Sequence, residues 1–526
     1  MAVYLGFDSS TQSLTAMAIE VEGAQRRVVF QRSLGFDEQL PHYGTTNGVL
    51  PAADPLVATS SPLMWAEALD HMMGIIATES GVDLSRLRAI SGSAQQHGSV
   101  YLNAAAAGTL AALDPRRPLV DQIGGIFARP DSPVWMDSST SEQCAAITSA
   151  VGGKHALAAL TGSRAFERFT GPQIRKFFEQ DPDAYGRTGR IHLVSSYMAS
   201  LLAGTDAPIE PGDGSGMNLM DITAKRWAPA ALGATAPGLD ARLPALRPSW
   251  TIAGRLSPFW VRRHGFPPAR VVAWSGDNPC SLIGTGLVRE GRIAISLGTS
   301  DTLFGFMREP RIDPSGAGHV FGSPTGDYMS LVCFKNGSLA RERIRAAAGL
   351  DWPGFSRALR ETAPGNQGRI MLPWFDAEIT PEVLVPGVRR HDLDPHDGPA
   401  NVRAVVEAQM MAMANHSAWM GVTIDTIRAT GGASRNREIL QVMADVFGAD
   451  VYQLEVGNSA CLGAALRAWH ADELADGRHV PWDEVVVGFV EPAAGSRISP
   501  VPSAVEISRD LRKLYAVCEA RALSAL

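Results

Sequence analysis

The chain has 526 residues, more than the roughly 250–300 a single hydrophobic core spans, so at least two domains are expected. Hydrophobic side chains make up 45% and charged ones 19%, which excludes a wholly disordered chain. Lys and Arg total 47 against 54 Asp and Glu, a net charge of −7, so neither nucleic acid nor an anionic membrane surface is expected as a partner.

In chain order, MAVYLGFDSS has no basic block ahead of an apolar one and no cleavage site, so no secretory signal is expected. No later run reaches the roughly 18 uninterrupted apolar residues of a membrane helix. Residues 3–8 predict a strand, 9–13 a hydroxyl-rich turn, and 14–19 a returning strand. Helical spacing follows at 65–80, with a strand at 87–91 ending in SGSAQQHG. Residues 104–130, rich in Ala, Gly and Pro, read as an irregular insertion. Helices are predicted at 172–180 and 193–203. PGLDARLPALRP, residues 237–248, reads as the connector between two domains, 1–250 and 251–526. A strand at 271–275 then leads into Gly276, Asp277 and Asn278.

Residues 292–306 repeat the opening pattern: a strand at 292–297, a turn of Gly298, Thr299, Ser300 and Asp301, and a second strand. The repetition suggests two domains of similar design. A strand at 330–334 and a loop-rich insertion at 380–399 come next. Helices are predicted at 402–420, 436–447, 459–470 and 506–523. Between a strand-like 424–428 and the helix at 436 lies ATGGASRN. The five cysteines (144, 280, 333, 461 and 518) form no CxxC pair, which argues for reduced thiols in a cytoplasm.

Phosphate chemistry has few places to sit. GGKH at 152–155 has neither the spacing nor the hydroxyl of a P-loop, and the glycines of GDGSG at 212–216 do not match a dinucleotide fingerprint. The two hairpin turns remain: consecutive N–H groups in a tight turn make an anion-binding concavity, and Ser or Thr hydroxyls add donors. Asp8 can hold a hydrated Mg²⁺ there, though Asp8, Ser9 and Thr11 equally suit a capped β-turn. Glycines 431 and 432 permit close ligand approach at a helix N-terminus, or make a βα turn capped by Ser434. Asp277 stands where a catalytic carboxylate often stands, at the end of an α/β strand, and equally starts a helix. Gln96, His97 and Arg168 suit a polyol, or a satisfied core and a surface ion pair. DGSGMN, residues 213–218, reads as a turn.

Taken together, LGFDSSTQS, SGSAQQHGSVY, VWMDSSTSEQC, LTGSRAFERFTGPQI, DGSGMNL, FPPARVVAWSGDNP, ISLGTSDTLF, CFKNGSLARERIR, ATGGASRNREILQVMADVFGADVY and NSACLGAALRA, in this order, resemble the FGGY family of carbohydrate kinases. The resemblance covers roughly residues 3–470. It implies an α/β fold of two ribonuclease H-like domains around a central cleft, as in the sugar kinase, heat-shock chaperone and actin superfamily. It implies ATP with Mg²⁺ as cofactors, phosphates held between the two hairpin turns, and phosphorylation of a ketopentose, D-xylulose at O5 first among the candidates. Ribulose, fuculose, gluconate and glycerol stay open as acceptors, and so does a sugar or nucleotide sensor without activity. Carried over residue by residue, Asp8 holds the metal and Thr11, Gln12 and Ser13 face the γ-phosphate. Gly298, Thr299 and Ser300 face it from the second domain, and Gly431, Gly432, Ala433, Asn436 and Trp352 lie by the adenosine. His97, Arg168, Asp277 and Asn278 take the sugar, with Asp277 as general base. Two departures bear on substrate choice: Gln96 stands where the commoner bacterial form has Met, and Lys176 is followed by Phe177, Phe178 and Glu179 instead of the family's K-x-x-W. The expected partners are small molecules, with a homodimer left open.

Overall fold

A computed structural model describes residues 1–23, 25–454 and 457–525 and folds into two compact units. The first comprises Met1–Val288, Val320–Tyr328 and a returning stretch that ends at Val490. The second comprises Arg289–His319, the stretch that begins at Met329, and the tail from Glu491.

In the first unit the opening hairpin forms as expected. Ala2–Ser9 pairs antiparallel with Ser13–Glu22, and Asp8 lies opposite Thr15. Leu87–Ala94 lies parallel beside Ala2–Ser9, with Ser93 next to Asp8. On its other side Arg270–Val272 and Ser275–Gly276 run parallel too, and Gly276 lies next to Ala94. The strand expected at 271–275 is therefore interrupted. Side chains alternate between the two faces of this sheet. Leu5, Phe7 and Ala16 pack with Trp65 and Met72 of helix Pro62–Glu79, whereas Tyr4, Met17 and Ile19 pack with Leu462 and Trp469 of helix Ser459–Ala475. A sheet covered by helices on both faces explains why its central strands read as continuous apolar runs.

Helix Ser459–Ala475 approaches closely because small residues leave room for it. A Cβ on Gly6 would stand 2.3 Å from the Cys461 carbonyl oxygen, and one on Gly463 would stand 1.9 Å from that of Cys280. The second contact ties this helix to Asp277–Gly284, the helix that begins with the candidate base.

Two sequence expectations are corrected here. The proline-rich stretch 237–248 does not separate the units. Leu239 and Leu243 are buried with Ile191 and Ile209, and Ile252–Arg255 is the edge strand of the first sheet, so the first unit continues to Val288. The prolines stop helices while apolar residues between them still reach the core. Residues 104–130 are irregular only in part: Ala106–Ala111 and Val120–Ile123 are short helices, and Leu110, Leu119, Ile123 and Ile126 join the core of the first unit. Alanine's helix propensity outweighed the breakers around it.

The sheet of the second unit includes, in order, Tyr328–Phe334, Asp301–Met307, Arg292–Leu297, Thr426–Thr430 and Asp450–Gln453. It repeats the local design of the first: a hairpin, Arg292–Leu297 with Asp301–Met307, and a parallel neighbour, Thr426–Thr430, beside the first strand. Helices Gly398–His416, Arg437–Phe447 and Pro502–Leu523 lie near the expected ranges, the first ending earlier and continuing as a 3₁₀ turn, Ala418–Met420.

Candidate active site

In the first unit, three parallel strands end at one edge and deliver Asp8, the segment from Ser93 to His97, and Asp277. The backbones bearing Asp8 and Asp277 flank that of Ser93 and Ala94, each one strand spacing away, about 4.8 Å. Ser93 Oγ donates to Asp8 Oδ1 at 2.6 Å. Burial, with the nearby Asp277 charge adding to it, pushes the Asp8 carboxyl up to about 7 despite that hydrogen bond. Asp277 Oδ1 accepts from the Asn278 backbone N–H at 2.8 Å and from Asn278 Nδ2 at 3.1 Å. Burial outweighs these bonds and one from the Gln96 backbone, and it raises Asp277 to about 6.

Two nearby carboxylates that burial disfavours are a setting a divalent cation relieves. Among the described residues no group of three or more His, Cys, Asp or Glu side chains is arranged to hold a metal. One strand-end carboxylate fits Mg²⁺, which keeps most of its waters and takes one or two carboxylates together with substrate phosphates.

The first hairpin turn is held from within by Ser10, whose hydroxyl donates to the Ser13 carbonyl at 3.0 Å and accepts from the Ser13 N–H at 3.2 Å. Thr11 and Gln12 lie beyond the last ladder pair, Ser9 with Leu14. Trp135 Nε1 donates to Thr11 Oγ1 at 2.7 Å, so the threonine hydroxyl is already aimed. Sequence reasoning missed Trp135, although it lies inside the VWMDSSTSEQC string, because nothing local ties an indole to a turn so far away. It also missed Gly48, where a Cβ would stand 1.8 Å from the Thr11 carbonyl oxygen.

His97 has a left-handed backbone, φ 73°, that turns its ring inward. Its Nδ1 is 2.7 Å from the Gly216 carbonyl oxygen. Because a carbonyl only accepts, Nδ1 carries the hydrogen and Nε2 offers a lone pair. Burial, reinforced by the Arg168 charge, lowers His97 to about 3 and keeps the ring neutral. Phe169 packs on the ring at 4.5 Å, and the Arg168 guanidinium lies 5.7 Å from the same phenyl ring. Residues 213–218, expected as a turn, form the end of a short helix, Pro211–Gly214, and one 3₁₀ turn, Ser215–Met217, and thereby present the Gly216 carbonyl to His97.

The second unit contains a cavity of 810 Å³ lined by Gly298, Thr299, Trp352, Gly432, Ala433 and Asn436 among others. Gly431, expected beside the adenosine, and Ser300, expected to face the γ-phosphate, are not part of its lining. Gly431 serves the backbone: its φ is 84°, and a Cβ on it would stand 2.5 Å from the Leu297 carbonyl oxygen. Trp352 opens helix Trp352–Glu361, is 44% exposed, and has the Arg345 guanidinium over one face at 5.1 Å. The cap of helix Arg437–Phe447 is Asn436, which accepts from the Glu438 N–H at 3.0 Å and donates to Ser356 Oγ at 2.9 Å. Ser434, the alternative cap, donates to the Gly431 carbonyl at 2.7 Å instead. A large, mostly apolar cavity with glycine-lined backbone and an exposed indole suits a nucleoside.

The turn 298–300 is braced from behind. The Ser338 N–H donates to the Gly298 carbonyl at 2.8 Å, and Asp301 Oδ2 and Oδ1 accept from Arg341 at 2.8 and 3.1 Å, both side chains being buried.

Comparison with known proteins places this geometry in context. Residues 131–284 match the model of the N-terminal domain, and residues 293–471 that of the C-terminal domain, of the FGGY family of carbohydrate kinases. The chain is 45% identical to the xylulose kinase of Mus musculus, over 99% of this chain and 94% of that one. Among solved structures, a xylulose kinase from Rhodospirillum rubrum is similar with a TM-score of 0.81 at 19% identity, covering 99% of this chain and 98% of that one. A gluconate kinase from Lactobacillus acidophilus scores 0.80 at 17% identity, covering 99% and 98%, so backbone likeness alone does not distinguish acceptors.

Proposed function

Since the chain belongs to the FGGY family of carbohydrate kinases, we propose that it transfers the γ-phosphoryl group of ATP to O5 of D-xylulose, yielding ADP and D-xylulose 5-phosphate. The observation that carries the reading is Asp277, a carboxylate raised by burial to about 6 beside the amide of Asn278, at the same strand edge as a neutral His97. Phosphoryl transfer goes through a loose, in-line transition state, so positioning and charge stabilisation do most of the work.

In the first unit, His97 Nε2 accepts from a sugar hydroxyl, Asn278 and Arg168 orient the chain, and Asp277 takes the proton of the attacking O5 hydroxyl as the oxygen bonds to phosphorus. The nucleoside occupies the cavity of the second unit, its base against Trp352 and its ribose beside Gly432 and Ala433. Thr299 and the N–H groups of its turn donate to phosphate oxygens of the nucleotide. Mg²⁺, when bound at Asp8, supplies positive charge against the phosphoryl oxygens. The first unit is thus the acceptor half and the second the nucleotide half. The five cysteines form no disulfide and no helix among the described residues is long and apolar enough to cross a membrane, which supports a reducing cytoplasm as the setting.

The test is ADP formation across D-xylulose, ribulose, fuculose, gluconate and glycerol, compared as kcat/KM. D-xylulose is expected to lead; another acceptor ahead of it replaces the substrate, and no ADP with any of them overturns the kinase reading. Thr299→Val removes one phosphate donor and is expected to raise the ATP KM about 3- to 10-fold, the worth of one hydrogen bond, with the sugar KM unchanged. A change confined to the sugar KM would move Thr299 out of the nucleotide half.

A further inference from the structure

The Gln96 side chain has no place yet in this mechanism, although it is 3% exposed and touches both Asp277's neighbour and the wall behind it. Its Nε2 donates to the Gly212 carbonyl at 3.3 Å, and its Oε1 accepts from Asn278 Nδ2 at 2.9 Å. Asn278 Nδ2 in turn donates to Asp277 Oδ1 at 3.1 Å. The two ends of this chain of amides leave no choice of polarity. The Gly212 carbonyl can only accept, so the Gln96 atom facing it is nitrogen and the atom facing Asn278 is oxygen. An ionised Asp277 can only accept, so the Asn278 atom facing it is nitrogen. Both constraints turn the Asn278 nitrogen inward and leave its Oδ1 as the acceptor on the other side.

The seat for this side chain is built. A Cβ on Gly276 would stand 2.5 Å from Gln96 Cγ, and one on Gly216 would stand 3.1 Å from Gln96 Nε2. The Gly212 carbonyl is itself fixed by the Ser215 hydroxyl, which donates to it at 2.9 Å.

We propose that Gln96 is a positioning residue that locks the polarity of the Asn278 amide, so that the sugar always meets an acceptor, Asn278 Oδ1, and must present a hydroxyl to it. The lock matters during turnover. When Asp277 takes the O5 proton, it becomes able to donate, and its hold on the Asn278 orientation is lost. The Gly212–Gln96 end does not titrate and keeps the amide in place until the proton leaves. The inference deepens the acceptor half of the proposed function and rests on His97 and Asn278 facing the sugar.

Two variants test it, with D-xylulose and ATP KM measured from pH 5.5 to 8.5. Gln96→Met keeps length and bulk but removes both amide atoms. It is expected to raise the sugar KM on the order of tenfold at every pH, with the ATP KM unchanged, because one buried donor loses its partner. Gln96→Glu is the diagnostic variant. Protonated, its hydroxyl donates to the Gly212 carbonyl and its carbonyl accepts from Asn278, as the amide does; ionised, it turns an acceptor on an acceptor. Its sugar KM relative to wild type is therefore expected near 1 at pH 5.5 and on the order of tenfold higher at pH 8.5. A role limited to filling space predicts no such pH dependence, and recovery at low pH shows that the variant folds. Sugar KM values unchanged in both variants, or a Gln96→Glu ratio flat with pH, overturn the proposal. His97→Ala and Asn278→Ala serve as the separate check: if they too leave the sugar KM unchanged, the acceptor-site reading itself fails, whereas a rise in these two alone refutes only the role of Gln96.

Discussion

Asp277→Asn is expected to lower kcat by about 10²–10⁴-fold while sugar and ATP still bind, because the amide keeps the shape and loses the ability to take a proton. The Asn278 N–H that donates to Asp277 Oδ1 at 2.8 Å can still donate to an amide oxygen, so the helix start should survive. The pH profile adds a second readout. With the carboxyl raised to about 6, the base is ionised above that pH and is lost as pH falls through it, so wild-type kcat/KM should drop about tenfold per unit below pH 6. Stability should move in the opposite sense. A carboxyl whose folded pKa lies above its unfolded one of 3.8 favours the protonated form, so its ionisation penalises the fold increasingly between pH 3.8 and about 6 and fully above that. The Asn variant is therefore expected to melt above wild type at pH 8, with the gap closing toward pH 4. A normal kcat in the variant would remove Asp277 from the base role, and equal melting at pH 8 would refute the burial argument.

The second large effect concerns stability of the second unit. Arg341→Met should destabilise the protein by about 3–5 kcal/mol, because it leaves Asp301 buried without its cation. Both side chains are nearly inaccessible, 0% and 1% exposed, and Arg341 Nη1 also donates to Gln409 Oε1 at 2.8 Å. Gln409 Nε2 continues to the carbonyls of Asn336 and Gly337 at 2.7 and 3.0 Å. This network stands directly behind the turn 298–300: Asp301 also accepts from the Gly298 N–H, and a Cβ on Gly337 would stand 2.6 Å from the Thr299 carbonyl oxygen. The ATP KM should rise with the loss of stability, whereas sugar binding in the first unit should not change at temperatures where the variant is folded. Adding Asp301→Leu to Arg341→Met should recover most of the lost stability, since replacing both partners removes the uncompensated charge. Denaturant unfolding of the three variants measures this; a single variant that loses under 1 kcal/mol would show that the turn does not depend on the pair.

Much of the candidate site was legible in the linear chain because its residues sit at strand ends. Short apolar runs followed by Asp8, by Gln96 and His97, or by Asp277 mark places where a strand stops and a side chain is set free, and such runs depend only on neighbours in sequence. The paired hairpins were legible for the same reason, and the ordered motifs pointed to the family before any coordinate. What local reading misjudged were features that need a partner from elsewhere. The prolines of 237–248 looked like a linker until Leu243 found Ile191 and Ile209. Residues 104–130 looked irregular until a distant core received their leucines and isoleucines. Ser434 looked like a cap until Asn436 took the two N–H groups.

The linear chain by itself determined the residue types at the strand ends, the repeated hairpin and the family. Only the tertiary structure decided how those side chains are oriented and charged: that Trp135 aims Thr11, that Gly216 fixes the His97 tautomer, and that Gly212 and Asp277 together fix the amides of Gln96 and Asn278. The reason is physical. Which residue stands where along a strand follows from bonded neighbours, but a hydrogen's place on a ring or an amide, and the proton affinity of a carboxyl, are set by atoms that folding brings within about 3 Å and by the water that it removes.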